Sequence, residues 1–369
     1  MQPGTNDDPA PLPARADVVV VGGGLAGLAV AVGLRERGVD VVVLDPGADD
    51  GASARAPGAI VTGLTEHPVS LGRALGPDGH AAVLALGRRS SAWLAARVPV
   101  TPCDQVWVAV DDRDRALAEQ SAGVLADAGL PVTVLDAAGL AARGLRGLGG
   151  YAVAGDGLVD PLAALAALRA RVTVARSQVR DVAADAGGLA VDTDRGPVRA
   201  EVVVWASGYR TPEDWFADKL WPVREQAARF AVDAPLTPVV GRSGHGWSSV
   251  RPGPRGTVIV AGCRWATPHL EVGELDPVVV PAVQDQLDRF AGRVVPGLGA
   301  PEARWAWIET HTCDGLPIVG PLPGDPRRIA CTGFVGVDWG LAPAAAEAVV
   351  DGLLGGEGRT PPTFAATRF

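Results

Sequence analysis

Lysine is almost missing from this chain. Lys219 is the only one, and nearly all positive charge is carried by arginine. We read that as a bias of composition, but it leaves any lysine-dependent step a single candidate. Cysteine is scarce as well: Cys103, Cys263, Cys313 and Cys331 are scattered, with no C-x-x-C pair. That argues against a disulfide frame or a zinc site and fits thiols kept reduced in a cytoplasmic protein. No uninterrupted apolar run of about 18 residues occurs, so no membrane span is expected. The opening MQPGTNDDPAPLPARA lacks the basic and apolar regions of a signal peptide. Its proline and aspartate suggest a disordered tail over residues 1–15. Positive charge is in the minority, with a net charge of −9. A nucleic-acid partner is therefore not expected, since phosphate binding needs clustered Lys and Arg.

The 369 residues, 47% hydrophobic and 20% charged, make a normal globular mixture long enough for two domains. The clearest segment is ADVVVVGGGLAGLAVAVGLRERGVDVVVLDPG, residues 16–47. Val18 to Val21 read as a strand buried on both faces. Leu25 to Arg37 read as a helix ended by Gly38. Val39 to Leu44 form a second buried strand, closed by Asp45. Between the first strand and the helix lie Gly22, Gly24 and Gly27 in G-x-G-x-x-G spacing. The first glycine permits the tight turn, the second lets backbone approach a pyrophosphate, and the third packs helix on sheet. Phosphates would sit at the helix N-terminus, where free N–H groups favour anions. Asp45 is placed to accept bonds from ribose hydroxyls. This is a dinucleotide-binding βαβ unit, and the expected fold class is α/β.

Further along, residues 51–68 read as loop, 79–97 as helix, 105–110 as strand and 112–128 as helix. A helix begins near Pro161, and short strands end in EVVVWASG at 201–208. A strand-rich stretch follows, with GTVIVAGCRW as an alternating strand and one helix at about 277–293. The last third reads RWAWIE as strand, the segment from about Glu309 to Gly320 as loop, RRIACTGF as strand and LAPAAAEAVVDGLL as helix. CTGFVGVDWGLAPAAAEAV sets a second glycine-rich loop before a helix start, another place for backbone N–H groups to meet a cofactor; one touched by both ends of the chain is long, which fits FAD better than NAD. No Ser-His-Asp elbow or P-loop competes. His67, His245 and His269 share no metal-ligand spacing, so no metal is expected. GRSGHG, residues 241–246, hints at a phosphate nest but opens no helix.

With these segments in hand, the chain resembles the D-amino acid oxidase-like family of FAD oxidoreductases, the glycine oxidase and sarcosine oxidase group. The carriers are the Gly22–Gly27 turn with Asp45, GASARAPGAI at 51–60, GDGLVDP at 155–161, WASG at 205–208, WPVREQ at 221–226, CDGLPIVG at 313–320 and TGFVGVDWGLAP at 332–343. The resemblance implies a Rossmann-like FAD-binding domain with an inserted, strand-rich α+β substrate domain. The division expected is 16–83, 150–215 and 303–369 for FAD, with 84–149 and 216–302 for substrate. It implies FAD contacts from Ser53, Arg55, Val179, Ala206, Gly208, Gly333, Val335, Gly336, Trp339 and Gly340. It implies oxidation of a C–N bond of a small amine or amino acid, hydride passing to flavin N5 and O2 being reduced to H2O2. Two other readings stay open: a dehydrogenase serving a quinone or carrier protein, and a flavin-binding scaffold without amine oxidation.

Two departures sharpen the expectation. Trp307 stands where sarcosine oxidase-like members carry the cysteine bonded to flavin, so FAD is expected to be non-covalent. Glu309 stands where glycine oxidase-like members carry the arginine that grips a substrate carboxylate. A carboxylate repels a carboxylate; Glu309 suits holding a cationic amine or removing its proton. His311 alternates with Glu309 along an extended chain and should face the same side. Arg264 falls near the position of an oxygen-activating lysine, and Arg55 and Arg224 are other candidates for a carboxylate anchor. Tryptophans 215, 221, 265, 305, 307 and 339 are expected near the substrate domain or the flavin, some of them walling an apolar pocket.

Overall fold

A computed structural model describes residues 11–47, 51–185, 187–244, 247–356, 358 and 360–369. His245, Gly246 and the first ten residues of the expected tail lie outside the described residues. In chain order the elements open with β1 (Arg15–Val21), α1 (Leu25–Arg35), β2 (Val41–Asp45), α2 (Ala52–Arg55), β3 (Ala59–Ile60) and α3 (Pro68–Ala95). Then come β4 (Thr101–Ala109), α4 (Asp112–Asp127), β5 (Val132–Leu135), α5 (Ala137–Ala141), β6 (Gly149–Leu158) and α6 (Pro161–Arg169). β7 (Thr173–Arg176), β8 (Val179–Asp185), β9 (Gly188–Thr193) and β10 (Val198–Trp205) follow. The second half holds β11 (Leu220–Val232), β12 (Val239–Ser243), β13 (Ser248–Pro252), β14 (Val258–Ala261), α7 (Pro268–Glu271) and α8 (Pro281–Val294). It ends with β15 (Leu298–Thr312), β16 (Ile318–Leu322), β17 (Asp325–Thr332) and α9 (Asp338–Leu353).

The strands form two sheets. The first has the order β16-β17-β10-β1-β2-β7, with β9 beside β10 and β8 beside β9. Its middle strands are parallel, and Val21 pairs with both Leu44 and Trp205. Gly22, Asp45 and Ala206 therefore leave the sheet at one level, in the crevice beyond the strand ends where α/β sheets bind ligands. β17 joins in the same direction, with Ala330 opposite Trp205, which brings Thr332 and Gly333 to that edge. The valines of β1 and β2 are buried on both faces: α1, α6 and α9 cover one, and β8, β9 and the segments around Phe216 and Ala366 cover the other. On one face, α1 packs against the alanine-rich α9. A Cβ on Gly33 would come within 3.1 Å of Val350, so small residues set this close helix contact.

The second sheet has the order β15-β11-β14-β13-β12-β4-β6-β3, with β5 beside β6. β6 and β15 run in this sheet, so the sheets part at residues other than 150 and 303. β11 and β15 pair antiparallel over most of their length, placing Glu225 opposite Trp307 and Val223 opposite Glu309. The stretch read as loop from Glu309 is strand as far as Thr312, because β11 supplies its backbone partners. The segment read as loop over 51–68 contains α2 and β3. α3 starts at Pro68 and breaks its helical backbone at Gly76 (φ +70°), before Pro77. That Gly-Pro break hid the first part of α3, since both residues punctuate helices. GTVIVAGCRW is strand only to Ala261; Arg264 begins a short 3-10 turn after Cys263. No described helix is long and apolar enough to cross a membrane.

Candidate active site

A cavity of about 290 Å³ runs along the edge of the first sheet, lined by the glycine turn, Asp45, Ser53, Ala206–Arg210 and Gly333–Gly336 among others. Gly22 has φ +110°, and a Cβ there would lie 2.6 Å from the Ala206 carbonyl oxygen. Glycine is needed for both reasons. Gly24 caps α1 without a side-chain bond of its own; the Leu25 N–H donates to the Ser53 hydroxyl at 3.3 Å, and the rest of the helix start faces the cavity. Asp45 Oδ2 accepts the Gly23 N–H at 2.6 Å, and Oδ1 accepts the Gly47 N–H at 2.8 Å. Each oxygen keeps acceptor capacity for a ribose hydroxyl.

Most sequence-predicted cofactor residues reach this cavity: Gly22, Gly24, Asp45, Ser53, Val179, Ala206, Gly208, Gly333, Val335 and Gly336 line it. Four do not. Gly27 packs against the turn, where a Cβ would sit 1.9 Å from the Gly22 oxygen. Gly340 packs in the same way against the Val61 backbone. Trp339 is buried, its indole donating to the Ser53 carbonyl at 3.3 Å. Arg55 turns toward β15, with its guanidinium 3.5 Å from the Ala306 carbonyl and its own carbonyl accepting from Trp305.

Among the lining residues that the sequence reading missed, two carry charge and reach the glycine turn or Ser53. Arg169, in the last turn of α6, reaches the Gly23 carbonyl at 3.3 Å and brings a cation to the glycine turn. Asp338, at the start of α9, accepts the Ser53 hydroxyl at 2.7 Å. Burial pushes its carboxyl up to about 6. Only the proximity of sequence-distant elements reveals either residue.

A second cavity, about 540 Å³, shares Glu309, Val335 and Gly336 with the first. Its charged and aromatic lining includes Glu66, Glu225, Trp247, Arg264, Trp307 and His311. Glu309 is 8% exposed, so its partners matter. It accepts the Trp307 indole N–H at 2.8 Å, and its other oxygen lies 3.3 Å from His311 Nε2. Trp307, Glu309 and His311 share one face of β15, as alternation requires. Val335 has φ +46°, a strained conformation for a β-branched residue, at the place where the cavities meet.

Arg264 faces this second cavity. Its Nε donates to Glu225 at 2.7 Å and its guanidinium lies 4.3 Å from the Trp247 ring centre. Glu225 is the main residue that sequence reasoning passed over. Burial first, and then the neighbouring Glu309 charge, push its carboxyl up to about 8 against the pull of Arg264. Arg224 is no free anchor: it is buried against Glu271 at 2.7 Å on the other face of β11. Of the six tryptophans expected near the site, only Trp307 lines the second cavity. Trp221 and Trp265 are exposed, Trp305 and Trp215 are half-buried, and Trp247 takes the place they were expected to fill.

A parallel sheet with a glycine turn, an acid at the next strand end and a second sheet facing the same edge make the architecture of a dinucleotide-binding protein. The chain belongs to the FAD dependent oxidoreductase (DAO) family, whose model matches residues 17–352. The first cavity fits the group this family uses: Gly24 leaves room beside Ser53, Asp45 stands at one side and Arg169 brings a cation to the glycine turn. Glycine oxidase of Pseudomonas aeruginosa is 26% identical over 368 residues, covering 92% of this chain and 95% of that one. The crystal structure of glycine oxidase from Geobacillus kaustophilus matches with a TM-score of 0.78 at 23% identity, over 97% of this chain and 100% of that one. That of L-proline dehydrogenase from P. horikoshii gives 0.82 at 18%, over 97% and 98%. These two likenesses establish the fold.

Proposed function

We propose that this enzyme oxidises a carbon–nitrogen bond of a small amine or amino acid to an imine, with O2 reduced to H2O2. The first sheet and its helices would hold FAD, and the second sheet the substrate. The observation that carries the reading is Glu309, buried and bonded at the junction of the two cavities. FAD, when bound, supplies a hydride acceptor at N5. Arg169 and the α1 N-terminus would face its pyrophosphate, Asp45 its ribose, and Gly333–Gly336 its ring end.

The chain's own part is positioning and proton control. Glu309 holds the substrate ammonium group or takes its proton, since a neutral amine is what gives up hydride readily. Trp307 and His311 fix the Glu309 carboxylate in place, which limits the ordering cost on binding. Trp247 and Trp307 give the cavity apolar walls beside its acids. The relatives named above are called for amino acids, glycine and L-proline. Here the acid-lined cavity favours an amine without a carboxylate. FAD is held without a covalent bond in this reading. Trp307 stands at the position of the bonded cysteine, and Cys313 lines neither cavity. Cys331 lines the first, but burial pushes its thiol up to about 12, far from a reactive thiolate.

The test is anaerobic: mix the holoenzyme with primary, secondary and cyclic amines, with and without carboxylates, and follow bleaching of the flavin band. Bleaching by some amine supports the reading, and no bleaching by any of them leaves only a flavin-binding scaffold. Reoxidation in air with stoichiometric H2O2 supports the oxidase. Reoxidation by a quinone alone makes the enzyme a dehydrogenase.

A further inference from the structure

The second cavity holds more acid than its cations offset. On β11 sits Glu225, and on β15 sit Glu309 and His311. One Glu225 oxygen, one Glu309 oxygen and one His311 ring nitrogen lie within 4.8 Å of one another. Both carboxyls are nearly buried, at 9% and 8% exposure. The only fixed cation lining the cavity among the described residues is Arg264, from the turn after β14, and it is bonded to Glu225. The remaining charged groups around the pair have other partners or surroundings. Glu66, before α3, is exposed and accepts the Trp247 indole N–H at 2.8 Å. Asp314, in the turn after β15, is paired with Arg368 at 2.6 Å. Asp338, from α9, is bonded to Ser53. Glu271 and Glu274 pair with Arg224 on the far face of β11.

With both carboxyls ionised, Glu225, Glu309 and Arg264 would leave one net negative charge nearly out of water. A buried unpaired charge is costly, and groups in that position take up a proton instead. We propose that this cavity is a cation site in which Glu225 and Glu309 share one proton and release it when a cationic amine settles beside them. The site is then electroneutral both empty and filled. This rests on the reading of the cavity as an amine site. It adds the ligand class, a cation free of carboxylate, and a positioning role for Glu225 in holding the exchangeable proton. The raised Glu225 carboxyl, pushed up to about 8 by burial and by Glu309, agrees with it. Two interacting carboxyls titrate as a pair. Arg264 beside the pair works against a divalent metal as the occupant.

The experiment is calorimetric titration of the holoenzyme with tetramethylammonium, a cation that cannot itself give or take a proton. Running it at neutral pH in two buffers of different ionisation heat yields protons released per cation bound. The wild type should release about one, and its affinity should rise up to about tenfold per pH unit below pH 8 and level off above. Glu225→Gln keeps an acceptor for Arg264 but removes the exchangeable proton. It should bind with no release and a flat pH profile, and its retained FAD reports folding. Four outcomes overturn the proposal: no cation binding, no proton released by the wild type, release unchanged in Glu225→Gln, or release abolished by His311→Asn while surviving Glu225→Gln. The last would put the proton on the imidazole. Failure of every amine to bleach the flavin would instead overturn the oxidase reading, with the proton exchange still measurable.

Discussion

Replacing Glu309 by Gln separates charge from shape. The amide oxygen still accepts the Trp307 indole N–H now held at 2.8 Å, and the amide nitrogen still meets His311 at 3.3 Å. Volume is kept, so the strand should not move. The change is the loss of one carboxylate from a group 8% exposed. A hydrogen bond to a charged partner contributes about 1.5–3 kcal/mol, more than a neutral one. A cationic amine should therefore bind about 10- to 150-fold more weakly. If Glu309 also takes the proton, the limiting rate of flavin reduction should fall as well, by about 10²–10⁴-fold. Rapid mixing under anaerobic conditions gives both quantities from one concentration series. A limiting rate that recovers at high pH, with affinity still lost, would place Glu309 in recognition alone. Unchanged affinity and rate for the amine that best reduces the wild type would refute the assignment of this carboxylate to the substrate.

Other perturbations test the remaining parts. Gly27→Ala puts a Cβ 1.9 Å from a backbone oxygen, where nothing flexible can yield. It should give protein with little bound FAD, read from the flavin-to-protein absorbance ratio. Arg169→Ala should weaken FAD retention during dialysis without changing the substrate panel, since Arg169 meets the glycine turn and not the second cavity. Arg224→Ala strands Glu271, which is fully buried. It should cost about 3–5 kcal/mol in chemical unfolding, and a cost under about 1 kcal/mol would mean the pair contributes no more than an exposed one. Asp338 binds its proton more tightly folded than unfolded. The stability it contributes is therefore full below its ordinary value of 3.8, falls as pH rises to about 6, and is level above. Asp338→Asn should remove that fall from unfolding curves of the FAD-free protein measured at pH 4 and pH 7.

The parts of this protein legible in the sequence are those fixed by near neighbours. Gly22, Gly24 and Gly27 sit between one strand and one helix, and with Asp45 at the end of the next strand that local order points to a dinucleotide turn. The buried valine runs and the alanine-rich last helix announce themselves by composition. Boundaries failed where a local signal met a distant partner. Residues beyond Glu309 carry turn-forming Asp-Gly and Pro, yet Glu309 to Thr312 are strand because Leu220 to Val223 lie opposite. Gly76 and Pro77 mark a real break, but the chain is helical on both sides of it.

The candidate site divides the same way. Glu309 and His311 on one face follow from alternation along a single strand. That the residue at 309 is an acid is likewise a fact of sequence. The rest came from tertiary structure. The pairing of β11 with β15 sets Glu225 beside Glu309, and the turn after β14 delivers Arg264 to Glu225 and not to the first cavity. The α6 and α9 ends carry Arg169 and Asp338 to the glycine turn and to Ser53. Charge at this site is a property of groups brought together from separate elements. Sequence determines which charges the chain owns, and sheet pairing decides which of them must share a proton.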